Sequence, residues 1–193
     1  MHERRFHPSQ MSKLEDPERK KWLPPDEILA RLELQPGWTV ADIGAGTGYF
    51  ALPMARAVGE AGHVLAVDAS PEMLARLRAR ADEERLTNLR FTRAEASSTG
   101  LGPRSCNCVL MANVWHEFDD HGAVLAEAQR ILKPGGRIVI LDWRPDAGPE
   151  HGPPLEHRIA AEAASEALAQ AGFVVDSSIH FFPYTWLLQG TRS

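Results

Sequence analysis

Apolar runs of four to seven residues, each bounded by polar or turn-forming positions, recur along the chain at residues 39–43, 63–67, 89–92, 106–112 and 137–141. Runs this short, rich in Val, Ile and Leu, predict strands. Each is followed by a helical pattern or a short connection, and alternation of this kind predicts a parallel sheet covered on both sides. Residues 96–105 and 148–154, with their Ser, Thr, Gly and Pro content, predict loops, while residues 156–171 predict a further helix. After Gly172, residues 173–176 and 181–188 predict two closing strands.

The first 35 residues follow a different rhythm. Asp16-Pro17-Glu18 predicts a helix start, with an N-cap, a first-turn proline and a carboxylate near the positive helix end. Pro24 and Pro25 interrupt it, and residues 26–32 predict a second short helix. Further on, Pro53 falls early in the helix after the first strand, which avoids a kink only if that helix begins near Tyr49. Arg76, Arg78, Arg80 and Arg85 mix with Asp82, Glu83 and Glu84, and this reads as a solvated helix face with mutual ion pairs.

Composition narrows the class. With 193 residues and 44% hydrophobic content, the chain has material for one substantial core. Its apolar runs fall far short of the ~20 residues needed to span a bilayer. Polar sequence follows Met1-His2-Glu3-Arg4-Arg5, which is unlike a secretory leader, so a cytoplasmic, membrane-free protein is expected. The formal charge of −5 argues against a nucleic-acid surface. Cys106 and Cys108 read as small buried hydrophobes rather than a redox or metal pair. Nothing in the pattern specifies an oligomeric state.

The candidate chemistry starts at Val40-Ala41-Asp42-Ile43-Gly44-Ala45-Gly46-Thr47-Gly48, a strand running into a glycine turn that opens a helix. Glycines let the backbone turn tightly and approach a ligand with no Cβ in the way. Twenty residues on, the second strand ends in Asp68, where α/β nucleotide folds grip ribose hydroxyls. A dinucleotide fingerprint wants G-x-G-x-x-G, yet the sixth position here is Tyr49. Asp42 puts negative charge where a pyrophosphate would lie, and favours a ligand with a cationic amino group over NAD.

These residues resemble the class I S-adenosylmethionine-dependent methyltransferases, whose opening motif is an acidic residue, a hydrophobic residue and G-x-G-x-G. The resemblance runs from about Trp38 to the C-terminus. It implies an α/β, Rossmann-like doubly wound sheet of seven strands, mostly parallel with a C-terminal antiparallel hairpin, in the order 3-2-1-4-5-7-6. It implies S-adenosyl-L-methionine as cofactor, held by Asp42, Gly44, Gly46, Gly48, Asp68, Met73, Glu95 and Asn113. Asp68 takes the ribose, Met73 after Ser70-Pro71-Glu72 covers the adenine, and Glu95 receives the adenine amino group. Ile131-Leu132-Lys133-Pro134-Gly135-Gly136 is similar to the L-K-P-G-G turn of small-molecule methyltransferases, in particular the quinone C-methyltransferase group. The proline ends a helix there, and the glycine pair is expected to supply positive φ. Residues 1–35 are expected to form a helical segment that either folds over the cofactor as a lid, with His7, Trp22 and Leu23 as the residues to serve it, or only packs on the sheet edge, and residues 36–193 the cofactor-binding domain.

In such a fold the ends of strands 4 and 5 face the sulfonium, so substrate-side groups come from residues 113–117 and from Asp142 and Trp143. His116 is the candidate base, because an imidazole accepts protons near neutral pH, and Glu117 orients or replaces it. Trp115 and Trp143 are candidate walls for an apolar or cationic acceptor, with His157, Arg158 and Tyr184 approaching from the C-terminal half. No H-x-x-x-H or H-E-x-x-H spacing occurs, and no metal is expected. Methyl transfer by direct displacement onto a small-molecule acceptor is the expected activity. An NAD-dependent oxidoreductase, or a cofactor-binding regulatory protein without catalysis, are the alternatives.

Overall fold

One mixed sheet organises the computed structural model, which describes residues 6–176 and 179–193. Strands β1 (Thr39–Ile43), β2 (His63–Asp68), β3 (Leu89–Arg93), β4 (Cys106–Ala112) and β5 (Leu132–Trp143) run parallel. Three further strands follow: β6 (Phe173–Val175), β7 (His180–Phe181) and β8 (Thr185–Arg192). The order is β3-β2-β1-β4-β5-β8-β6, with β7 also on β8, and β8 is antiparallel to all its partners. With β8 counted as the seventh strand, this is the expected 3-2-1-4-5-7-6 arrangement. The addition is the two-residue β7. The final strand starts at Thr185 rather than Phe181 because the Phe182 N–H donates to Thr185 O at 2.8 Å and closes a hairpin between them.

The strands alternate their side chains between two apolar layers, as the pleat requires. Val40, Cys108, Leu110, Val139 and Leu141 pack with Ile28 and Leu32 of α2 (Pro25–Leu32), Leu52 and Met54 of α3 (Ala51–Val58), and Leu77 of α4 (Pro71–Glu83). Ala41, Val109, Met111, Ile138 and Ile140 pack on the other side with Leu125 and Ala128 of α5 (His121–Ile131) and Ala164 and Leu168 of α6 (Ala161–Gln170). A register shift between Cys106 and Cys108 sends these two cysteines to opposite layers. Burial pushes the Cys108 thiol up to about 12. Among the described residues no helix is long and apolar enough to cross a membrane.

Several local expectations are corrected. The helix expected over residues 156–171 is broken into a 3₁₀ turn, Leu155–His157, and α6, because Arg158 is extended and buried. Its guanidinium gathers the carbonyls of Arg144, Gly148, His151 and Pro153. In the Lys133-Pro134-Gly135-Gly136 turn only Gly135 has positive φ, at 72°. Gly136 is instead demanded by space, since a Cβ would lie 2.8 Å from Lys133 O. α3 starts at Ala51, which leaves Pro53 in its first turn. The helix expected from Asp16 is the single turn α1 (Arg19–Trp22), preceded by a 3₁₀ helix at Pro8–Leu14.

The arginines of α4 are not merely solvated. Arg76 makes a two-pronged pair with Glu15, both contacts 2.8 Å, and so ties the N-terminal segment to α4. Arg80 donates to Thr47 O at 2.7 Å and braces the glycine loop, while Arg78 lies over the Phe91 ring. Gly48 sits where α4 presses hardest on that loop, at φ 91°, and an added Cβ would overlap Leu77 Cδ1. Gly48→Ala therefore combines overpacking with a strained backbone and should cost about 2–4 kcal/mol. Urea unfolding would measure this, and an unchanged midpoint would refute the packing role.

Candidate active site

The strand order reverses between the parallel neighbours β1 and β4, and a crevice opens there beyond the carboxyl ends of the strands, as this topology dictates. The crevice is a cavity of about 900 Å³. Asp42, Gly44, Gly46, Asp68, Met73, Glu95, Asn113, His116 and Glu117 all line it. Gly48 does not, since it faces Leu77 and serves packing rather than the cavity.

The glycine loop is held to β2 by the chain's own hydrogen bonds. Gly44 N–H and Ala45 N–H donate to Val67 O at 2.8 and 3.1 Å. A Cβ on Gly44 would meet Val114 Cγ1 at 2.5 Å. Gly46 N–H donates to Asp68 Oδ2 at 2.8 Å, and Ser70 N–H donates to Asp68 Oδ1 at 2.9 Å. The loop amide that would cradle a phosphate is thus already committed to a carboxylate. Ser70 caps α4 by accepting from Met73 N–H at 3.2 Å, and this fixes the buried Met73 against the cavity.

Negative charge dominates this end. Burial, and then the neighbouring Asp68 carboxylate, push Asp42 up to about 7, with no hydrogen bond acting against them. Burial also raises Asp68, against the pull of the Ser70 and Gly46 N–H groups, with Glu95 adding to the rise. Asn113 ends β4 in the left-handed region at φ 57°, where both its amide atoms are buried without a partner among the described residues. Thr47 Oγ1 is buried in the same condition. Carboxylates without cations, beside orphaned donors and acceptors, fit a ligand that carries both a cation and hydrogen-bonding groups.

A second cluster forms where β4 and β5 end. Asp142 is fully buried and accepts from His116 N–H at 2.7 Å, Trp143 N–H at 2.7 Å and His116 Nδ1 at 2.8 Å. The carboxylate can only accept, so the proton sits on Nδ1 and Nε2 keeps its lone pair. Nε2 lies 4.0 Å from Glu117 Oε1. Burial works to lower the His116 pKa, but the Asp142 charge and hydrogen bond and Glu117 together hold it above the ordinary value. Burial pushes Glu117 up to about 7, although His116 and the Phe6 N–H, which donates to it at 3.2 Å, pull the other way.

The remaining candidates separate. Trp143 and His157 line the cavity, as do His7 and Trp22 of the N-terminal segment. Leu23 is a core residue, whose carbonyl accepts the Tyr49 hydroxyl at 2.5 Å. Trp115 is fully buried against His121, while Arg158 and Tyr184 stand behind the wall. Tyr184 meets Trp22 edge-on, and Trp22 stacks on His151 at 4.4 Å. Asp142 as the anchor of His116, and Arg19 in the cavity wall, were not read from the sequence as such. Among the described residues no group of three His, Cys, Asp or Glu is placed to hold a metal ion.

Comparison with known proteins places this geometry. The methyltransferase domain family matches residues 40–136, half of the chain and the whole stretch from the glycine strand to the Gly135-Gly136 turn. The chain belongs to the class I S-adenosylmethionine-dependent methyltransferases. A methyltransferase structure from Aquifex aeolicus, described as S-adenosylmethionine-dependent, superposes on this methyltransferase with a TM-score of 0.92 at 27% identity, covering 98% of this chain and 100% of that one. A ubiquinone/menaquinone biosynthesis C-methyltransferase of Rhizobium leguminosarum is 30% identical over 159 residues, 82% of this chain and 59% of the relative. An arsenite methyltransferase of Halobacterium salinarum is 33% identical over 109 residues, 56% of this chain and 28% of that protein. This methyltransferase therefore spans less than two thirds of the length of these two curated relatives.

The raised Asp42 makes a prediction for the ligand-free methyltransferase. Its folded pKa lies above the ordinary value of 3.8, so its contribution to stability is full below about pH 4 and is lost as pH rises through about 7. Asp42→Asn removes that loss. The variant's stability advantage over the parent should grow by on the order of 2 kcal/mol between pH 5.5 and 8. Thermal unfolding at both pH values checks this, and an advantage independent of pH would refute it.

Proposed function

We propose that the protein transfers a methyl group from S-adenosylmethionine to a small-molecule acceptor whose nucleophile gives up its proton to His116. One observation carries the reading: an imidazole Nε2 with a free lone pair faces the same cavity as the acidic glycine-loop end, while a fully buried Asp142 fixes its tautomer. When bound, the cofactor supplies an electrophilic methyl on a sulfonium, already activated for displacement.

The chain's residues do the rest. Asp42 and Asp68 offer negative charge to the amino-acid and ribose ends, Met73 covers the base, and Glu95 at the cavity rim accepts from the adenine amino group. Asn113 supplies its unsatisfied amide to the cofactor. With the cofactor held there, His116 Nε2 would take up the proton of the acceptor that receives the methyl group. Glu117 shares that proton or steadies the imidazolium. The N-terminal segment is read as a lid over residues 36–193 from residue 6 onward, residues 1–5 lying outside the described residues. The Phe6–Glu117 and Glu15–Arg76 contacts support that, as does Leu14 lying 3.6 Å from where a Gly46 Cβ would be.

A small acceptor is favoured over nucleic acid by the acidic cavity and the net charge of −5. An arsenical acceptor is disfavoured, because both cysteines are buried and their thiols are raised away from the reactive thiolate. A dehydrogenase reading is disfavoured by the Gly46 amide already spent on Asp68. A cytoplasmic setting completes the proposal.

Parallel calorimetric titration with S-adenosylmethionine, S-adenosylhomocysteine and NAD tests the cofactor. Binding of the two sulfur compounds alone is expected, and binding of NAD alone would overturn the reading. With an acceptor found by screening phenols and enols, His116→Gln should lower kcat by about 10²–10⁴-fold while the S-adenosylhomocysteine affinity holds. Activity should rise with pH through a midpoint above the ordinary imidazole value of about 6.5, and Asp142→Asn should move that midpoint down. A fully active His116→Gln protein would remove the base.

A further inference from the structure

The N-terminal segment places an arginine where a simple cover has no use for one. Arg19 in α1 is only 7% exposed and lines the cavity. Its guanidinium has five N–H donors, and among the described residues one of them is engaged, with Nη1 donating to Leu14 O at 3.1 Å. No carboxylate of the described residues pairs with it. Its charge is met by ring faces, Tyr49 at 4.2 Å and Trp22 at 6.0 Å. A ring face offsets only part of the cost of taking a guanidinium out of water, and an unpaired buried cation is the arrangement that native interiors avoid.

The surroundings point the same way. Tyr49 follows the glycine loop directly, and two residues before it Thr47 holds a buried hydroxyl with no partner, also in the cavity wall. The ends of β1 and β2 contribute Asp42 and Asp68 to the same cavity. The N-terminal segment adds Lys13, Asp16 and Glu18 to the cavity wall as exposed side chains, and Arg19 is its one buried charge among the described residues.

We propose that Arg19 is an anion receptor of this cavity and binds a carboxylate carried by the cofactor or by the acceptor, with Thr47 as a second donor. A planar fork of N–H groups matches a carboxylate's two oxygens, which a lysine cannot do. The anion then supplies the charge partner that the buried guanidinium lacks among the described residues. The inference rests on the cofactor reading given above, and the test keeps the two apart.

The wild-type protein is titrated calorimetrically with S-adenosylhomocysteine and with its decarboxylated analogue. The protein saturated with S-adenosylhomocysteine is then titrated with 4-hydroxybenzoate and with neutral 4-hydroxybenzyl alcohol. A carboxylate of the cofactor at Arg19 predicts that the analogue binds at least tenfold more weakly, and that Arg19→Gln loses this preference. A carboxylate of the acceptor predicts the same pattern in the second pair instead. Arg19→Lys, which keeps the charge and the fold but not the fork, should retain only part of the preference in either case. Equal binding within both pairs by the wild type, or preferences that survive Arg19→Gln intact, would overturn the proposal while leaving the cofactor reading standing. Failure of the wild type to bind either adenosyl compound would instead overturn the cofactor reading.

Discussion

The Asp68 carboxylate is the interaction on which the rest of the site depends. One oxygen holds the Gly46 amide and the other holds the Ser70 amide that leads into the cap of α4. A single side chain thus sets the distance between the glycine loop and the first turn of the next helix. Ionised carboxylates form strong hydrogen bonds to backbone N–H groups, and this one stands in a largely buried setting where few others compete. Arg80 reinforces the arrangement from α4 by holding Thr47 O. The loop is consequently shaped by the chain's own contacts.

A comparison of three carboxylates shows how environment divides labour among like groups. Asp142 accepts three hydrogen bonds and acts as a fixed anion behind His116. Asp68 accepts two from backbone and still faces the cavity. Asp42 is shifted by burial and by Asp68 alone, so its charge awaits a partner from outside the chain. All three sit near the carboxyl ends of strands in parallel register, with Asp42 beside Ala66 of β2 and Leu110 of β4, set back along the sheet from Asp68 and Asp142. The sheet supplies the alignment, and differences in donor number supply the chemistry.

The sequence made the sheet and the glycine-loop side of the cavity legible because both rest on local signals. Strand runs, the glycine loop, the acid ending β2 and the Ser70-Pro71 helix start each act over a few residues, and the structure places Asp42, Gly44, Gly46, Asp68 and Met73 together in one cavity wall. What the sequence hid depends on contacts across long separations. Asp142 meets His116 across 26 residues, and Arg76 meets Glu15 across 61. Spacing along one element says nothing of either. Gly48 was assigned to the ligand because it belongs to the motif, yet its neighbour Leu77 lies on another helix. Arg158 broke an expected helix for the same reason: its partners are carbonyls of a loop whose path no periodicity describes.

The place of β8 in the sheet has a consequence for how the molecule is made. This strand follows β1 to β7 in the chain, yet it lies between β5 and β6 and pairs with both, antiparallel along most of its length. Until it emerges from the ribosome, β5 presents an open apolar edge, and β6 has no neighbour of its own. The nascent chain can assemble the glycine loop and the β1–β4 crossover early, but it must wait for residues 185–192 to seal the half that carries His116 and Asp142.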